Sequence, residues 1–338
     1  MKAIGIYKNT SVDEENCFIE EQLDKPVAKG GDVLVQVKAV SVNPVDTKQR
    51  KMKEDDGNFR ILGFDAAGVI EEVGEDVQGF EPGDEVFYAG SVARQGSNSE
   101  YQLVDHQVIA KKPSNLSFSD AAALPLTALT AWEAMFEKMH IPLDIEANKG
   151  KTILLINAAG GVGSIASQLA KLHGLTVIGT ASREETEKWA NQHGTERTIN
   201  HHKPLHPQLE ALDFDNDTVD YVFCMHQLDK AWDDIIEVIR PEGIIAAITG
   251  PVEGIKLTDL TSKSLTLVWE YMFTRTLHQT DSKYKQGEIL TKVAELLEEG
   301  RLRTTKAEEL KGLTAKNLQE AHKRLEAGSM IGKLVISV

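Results

Sequence analysis

Hydrophobic and polar positions change their period twice along the 338 residues. From the start to about residue 113, short apolar runs are punctuated by glycine, proline and acidic turns, which is the pattern of strands. It predicts strands at 3–7, 17–22, 33–42, 66–73, 85–89, 100–104 and 108–111. Strand-rich and helix-poor, this stretch reads as an antiparallel, barrel-like domain. Ser117 and Asp120 then cap a helix, and 127–138 continues with Leu129, Trp132, Met135 and Phe136 at helical spacing. Beyond Lys151 strands at 152–157, 175–180, 197–200, 219–224 and 243–249 alternate with helical segments such as 228–239, which indicates a doubly wound parallel sheet. Helices at 284–299 and 317–327 and a strand at 333–338 close the chain. This length exceeds one ordinary core, so an α/β protein of two domains is predicted, 1–125 with 268–338, and 126–267.

The second domain contains the most specific local signal. Ala158, Ala159, Gly160, Gly161, Val162 and Gly163 turn the apolar strand 152–157 directly into a helix whose Ile165, Leu169 and Leu172 share one face. Turn glycines let a backbone approach a pyrophosphate, and the N–H groups and dipole of the helix start attract its charge. The match is A-x-G-x-x-G, with Ala158 in the first position; the alternative is a tight crossover that binds nothing. A dinucleotide enzyme that uses NAD offers a carboxylate at the end of the next strand, where this chain has Thr180, Ala181, Ser182 and Arg183. A hydroxyl and a guanidinium suit a 2′-phosphate, so NADPH is the expected cofactor. Ser182 with Glu185 also reads as a capping box for a helix 183–193.

The balance of 37 basic against 52 acidic residues, a net charge of -15, argues against nucleic acid and anionic membranes as partners. Two cysteines, Cys17 and Cys224, are too few and too far apart for a disulfide framework or a cysteine-rich zinc site. His201, His202 and His206 lack the partner spacing of a metal site and read as a solvated loop. No charged leader precedes a long apolar core and no segment is long enough to span a bilayer, so a cytoplasmic location is expected.

Several ordered motifs carry a family resemblance: Ser41 to Lys48 (SVNPVDTK), Gly83 to Val86 (GDEV), Ala121 to Ala128 (AAALPLTA) and Asn157 to Gly163 (NAAGGVG). Together they resemble the medium-chain dehydrogenase/reductase superfamily and, within it, the zinc-free quinone oxidoreductase branch. Trp269 to Arg275 (WEYMFTR) and Leu302 to Thr305 (LRTT) are similar to bacterial zinc-type alcohol dehydrogenase-like proteins. The resemblance implies a GroES-like barrel domain, a Rossmann NADPH-binding domain and an oxidoreductase. Zinc-dependent relatives keep a cysteine at the position of Asn43, a histidine at that of Phe64 and a further cysteine near Leu126. With none of these present, no zinc is expected.

Without a Lewis acid, the hydride must pass to an acceptor that is already electrophilic, a quinone or an α,β-unsaturated carbonyl. By resemblance, Asn43 offers an amide hydrogen bond to the substrate oxygen, or simply opens an Asn-Pro turn. Asp46 orients that loop or the substrate, and Thr127 lies where relatives pack a helix start against nicotinamide. Phe64, Tyr88, Trp269 and Tyr271 are candidates for the substrate cleft, or for the core. Lys333, after Gly332, resembles a segment that approaches the cofactor phosphate. Relatives form homodimers through sheet edges, and 243–249 is an apolar strand suited to that. The competing readings are an NADPH-binding sensor without turnover and a zinc-dependent alcohol dehydrogenase.

Overall fold

A computed structural model describes residues 1–212, 218–250 and 254–338. The described chain forms two compact units, Met1–Leu129 with Phe273–Val338, and Thr130–Met272, dividing a few residues later than the sequence pattern suggests.

The first unit is built on the strand Asp32–Ser41, whose apolar sequence DVLVQVKAVS is buried on both faces over much of its length. One edge pairs antiparallel with Asp65–Val73 along its whole length. The other edge is shared: Tyr101–Asp105 takes residues 32–36, and the final strand Lys333–Ser337 takes residues 39–41. Glu85–Tyr88 and Ile109–Lys111 extend the sheet beyond Asp65–Val73. On the far side Lys306–Lys311 pairs parallel with Lys333–Ser337, the crossover being the helix Ala315–Glu326. Val33, Val35, Val37, Ile70, Val86, Leu334 and Ile336 fill the interior, as sheet faces that alternate in and out require.

This sharing of an edge has a local result. Ser41 lies between Asp65 on one side and Val335 on the other, and Val42 N–H donates to Leu334 O at 3.3 Å. Three strand ends therefore converge at residues 41–43, 65 and 333.

The second unit is a six-stranded parallel sheet in the order Arg197–Ile199, Thr176–Thr180, Thr152–Ile156, Val219–Cys224, Ile239–Ala247, Thr266–Trp269. Strand order reverses between Thr152–Ile156 and Val219–Cys224, the switch point at which dinucleotide folds bind their ligand. This is the α/β, doubly wound architecture the sequence implies, and the first unit is the barrel-like domain expected before it in the chain.

Several local features depart from the sequence reading. The helix Pro44–Met52 lies inside the stretch read as strands and turns. Asn43 stands before it, proline opens it and the Asp46 carboxylate accepts the Asn43 N–H, so start signals outweigh a weakly apolar sequence. The helix Pro125–Trp132 widens into a π-helical stretch Glu133–Lys138, not a regular α-helix through Lys138. The helix Glu184–Gln192 is capped at Arg183, whose N–H meets Thr186 Oγ1 at 3.1 Å, so the cap is one residue later than Ser182. The strand expected at a dimer edge, 243–249, is instead the end of the interior strand Ile239–Ala247, paired on both sides. Among the described residues Thr266–Trp269 is the edge on that side.

Candidate functional site

In the second unit the strand Thr152–Ile156 ends at Asn157, which takes a left-handed backbone (φ 74°) to start the glycine turn. The Asn157 N–H donates to Thr180 Oγ1 at 2.9 Å, and Ala158 N–H to Thr180 O at 3.2 Å, tying the turn to the next strand. A Cβ on Gly163 would lie 2.4 Å from Asn157 O and 2.6 Å from Ala158 O, so only glycine lets the helix Gly161–Leu172 start this close to the turn. Ala158 can stand in the first motif position because Gly179 faces it; a Cβ at Gly179 would meet Ala158 Cβ at 2.6 Å. Gly160, Gly161 and Val162 are half-buried at the helix start, while Ala159 is buried. These observations describe a backbone cradle at a helix N-terminus, and they fit a dinucleotide pyrophosphate.

The next strand end bears on the choice of nucleotide. Thr180 and Ala181 are buried, Ser182 is half-buried and Arg183 is exposed. The Arg183 guanidinium forms an ion pair with Glu185 at 2.8 Å, so a phosphate there would compete with an exposed surface carboxylate.

In the first unit the three converging strand ends assemble a closed polar network. The Lys333 ammonium donates to Val42 O at 2.9 Å, to Asp65 Oδ2 at 2.9 Å and to Asn43 Oδ1. Asn43 Nδ2 donates to Asp65 Oδ2 at 2.8 Å and to Ser41 O at 3.4 Å. The second carboxylate oxygen of Asp65 accepts the Leu126 N–H at 2.7 Å. Asp46 lies alongside, its Oδ2 accepting the Asn43 N–H at 2.7 Å. Burial pushes the Asp46 carboxyl up to about 7, against the opposing pull of the Asn43 N–H and the Lys333 charge.

Lys333 is only 3% exposed and its three donors are all engaged, so the phosphate contact expected of it is replaced by an interior role. Asn43 is buried too, with its amide donors already engaged. Thr127 turns its hydroxyl to Leu124 O at 3.0 Å. Tyr88 is fully buried in the barrel core, and Phe64 is buried against Phe273 with ring centres 4.8 Å apart, so both belong to packing of the first unit. Trp269 and Tyr271, in the second unit, are 46% and 45% exposed.

Asp65, the hub of the network, is absent from the candidates singled out in the sequence. A carboxylate opening an otherwise apolar strand, Asp65–Val73, was the available signal, because a buried charge requires a partner.

The side chains at the three zinc-ligand positions do not suit zinc. An amide at Asn43, a phenyl ring at Phe64 and an aliphatic side chain at Leu126 stand there, and an ammonium is in direct contact with the amide and with the neighbouring Asp65 carboxylate. A thiolate- and imidazole-binding cation does not fit beside that ammonium. Among the described residues no group of three or more His, Cys, Asp or Glu could hold a metal ion.

Comparison with known proteins places this geometry among others. An alcohol dehydrogenase GroES-like domain model matches residues 29–114, and a zinc-binding dehydrogenase model matches residues 194–336. A zinc-type alcohol dehydrogenase-like protein of Staphylococcus epidermidis is 47% identical over 338 residues, covering all of both chains. The crystal structure of a putative zinc-dependent alcohol dehydrogenase protein from Rhizobium etli is 41% identical with a TM-score of 0.93, covering 100% of this chain and 98% of that one. The NADPH-dependent alkenal/one oxidoreductase of Arabidopsis thaliana chloroplasts is 34% identical over 247 residues, 69% of this chain and 59% of that protein.

Proposed function

The chain belongs to the medium-chain dehydrogenase/reductase superfamily, among the zinc-type alcohol dehydrogenase-like proteins, and from that premise we propose that it is an NADPH-dependent, zinc-independent reductase of quinones or α,β-unsaturated carbonyls. The observation that carries the reading is the polar network, in which an ammonium is bound to the amide at one metal-ligand position, Asn43, and to the Asp65 carboxylate adjoining a second, Phe64. The NADPH-dependent alkenal/one oxidoreductase supports the same cofactor and acceptor class.

The N–H groups at Gly161, Val162 and Gly163 would hold the pyrophosphate, with Ser182 and Arg183 at the 2′-phosphate once Arg183 exchanges Glu185 for it. When bound, the cofactor supplies the hydride. The chain's own residues hold and orient: Asp65 fixes the Leu126 N–H, and Asn43 and Asp46 fix the entry to the helix Pro44–Met52. Nothing in this arrangement lowers the pKa of an alcohol as a metal would, which disfavours plain alcohols and favours acceptors that delocalise the incoming charge themselves. A C2 homodimer through the exposed edge of Thr266–Trp269 is part of this reading.

The test is the initial rate of NADPH and NADH oxidation by chelator-treated protein with an ortho-quinone and with an enone, beside Arg183→Ala. Turnover that prefers NADPH, survives chelation and loses the preference in the variant is expected. One tightly bound zinc per chain whose removal abolishes turnover would overturn the zinc-free part. NADPH binding without oxidation by any acceptor would favour a sensor.

A further inference from the structure

We propose that Lys333 is a tethered cation that acts as a positioning residue, holding Asp65 so that Asp65 in turn fixes the Leu126 backbone at the start of the helix Pro125–Trp132. The inference deepens the zinc-free reading and rests on it.

The ammonium reaches its place from the last strand, 290 residues beyond Asn43, and meets three oxygens from two other segments: Val42 O, Asn43 Oδ1 and Asp65 Oδ2. An ammonium has three N–H donors, and here each has an acceptor. No donor is left for a phosphate or a substrate, so any influence on the reaction passes through Asp65 and Asn43. Asp65 transmits it, because Oδ2 meets the ammonium and Oδ1 takes the Leu126 N–H. A buried carboxylate without its cation would be left uncompensated, and the backbone it holds would be released.

Removing the side chain beyond Cβ leaves a pocket with three oxygen acceptors, matched in size and chemistry by n-propylammonium. The experiment therefore compares wild type with Lys333→Ala, each with n-propylammonium chloride or with tetramethylammonium chloride, which matches ionic strength but donates no hydrogen bond. Turnover of NADPH with an ortho-quinone is resolved into kcat and KM, and thermal midpoints are recorded alongside. The expected result is a kcat at least tenfold lower in Lys333→Ala with an unchanged KM for NADPH. Saturable recovery of kcat by propylammonium alone, and a rise in the variant's midpoint that wild type does not show, complete the pattern.

A raised KM for NADPH with unchanged kcat would overturn the proposal in favour of a cofactor contact. The midpoint measurement needs no activity: if wild type reduces no quinone but propylammonium selectively stabilises the variant, the cation site stands and the function assignment fails. If Lys333→Ala does not fold, the double variant Lys333→Met with Asp65→Asn removes both charges together. Wild-type kcat in that protein would overturn the positioning role, and a reduced kcat at unchanged KM would support it.

Discussion

His322 couples stability to pH in a way that can be isolated by one substitution. It lies on the helix Ala315–Glu326, is fully buried, and packs its ring edge-on to Phe18 with centres 4.8 Å apart. Neither ring nitrogen has a hydrogen-bond partner. Burial, reinforced by the charges of Arg50 and Lys51, lowers its pKa from 6.5 to about 3. A histidine with a depressed folded pKa favours folding fully above its unfolded pKa, and that contribution is lost as the solution acidifies towards the folded value. Between about pH 7 and about pH 4.5 the unfolded ring takes up a proton the folded ring refuses, a loss of ~2.5 kcal/mol. His322→Leu removes the titration and leaves every other group in place, including the oppositely signed Asp46. Urea unfolding of both proteins at the two pH values, with amide exchange along the helix Ala315–Glu326 as a local readout, measures the difference. The variant should gain ~2.5 kcal/mol on wild type as pH falls. Parallel pH profiles would refute the argument, because they would require His322 to be protonated or solvated where the structure buries it.

Asp46 should give the mirror image. Its raised folded pKa favours the folded state at low pH and is lost as pH rises through about 7, so Asp46→Asn should gain up to roughly 4 kcal/mol on wild type between about pH 4 and about pH 8; equal urea midpoint shifts would refute this. Gly163→Ala should abolish NADPH binding in a fluorescence titration, since the added Cβ meets two backbone oxygens within 2.6 Å, and a wild-type Kd would show that the turn is not the cradle. Ser164→Ala should cost about 1–3 kcal/mol, because Trp189 Nε1 loses the acceptor it holds at 2.8 Å; an unchanged unfolding midpoint would contradict that.

The parallel sheet and its glycine turn were legible because both depend on short-range signals: period, turn chemistry and strand length over a few residues. Arg183 could be placed at a strand end for the same reason. Lys333 could not be read in this way. Its sequence neighbours suggest a surface strand approaching a phosphate, whereas its partners Val42, Asn43 and Asp65 lie more than 250 residues away and are brought to it by the pairing of the last strand with Asp32–Ser41. The strand Lys306–Lys311 was hidden by its own composition, since charged KAEELK has neither strand alternation nor β-branched residues and is held by its parallel partner. Tyr88 was ambiguous for another reason: an aromatic on a strand faces in or out according to register, and the pairing of Tyr88 with Ala66 and Ile109 fixes it in the core.

Charge balance explains why the network takes the form it does. Two carboxyls, Asp46 and Asp65, are buried within reach of a single cation. The ammonium pairs directly with Asp65, and burial leaves Asp46 to neutralise itself by binding a proton. With Asp46 protonated the cluster is formally neutral, and a divalent ion added beside Lys333 would bring two further positive charges with no thiolate to offset them. As pH rises through about 7 the cluster instead becomes negative, and the Asp46 charge repels the Asp65 carboxylate that holds the Leu126 N–H. Reduction of a delocalised acceptor should therefore weaken on the alkaline side, and Asp46→Asn should remove that alkaline limb without introducing a metal requirement.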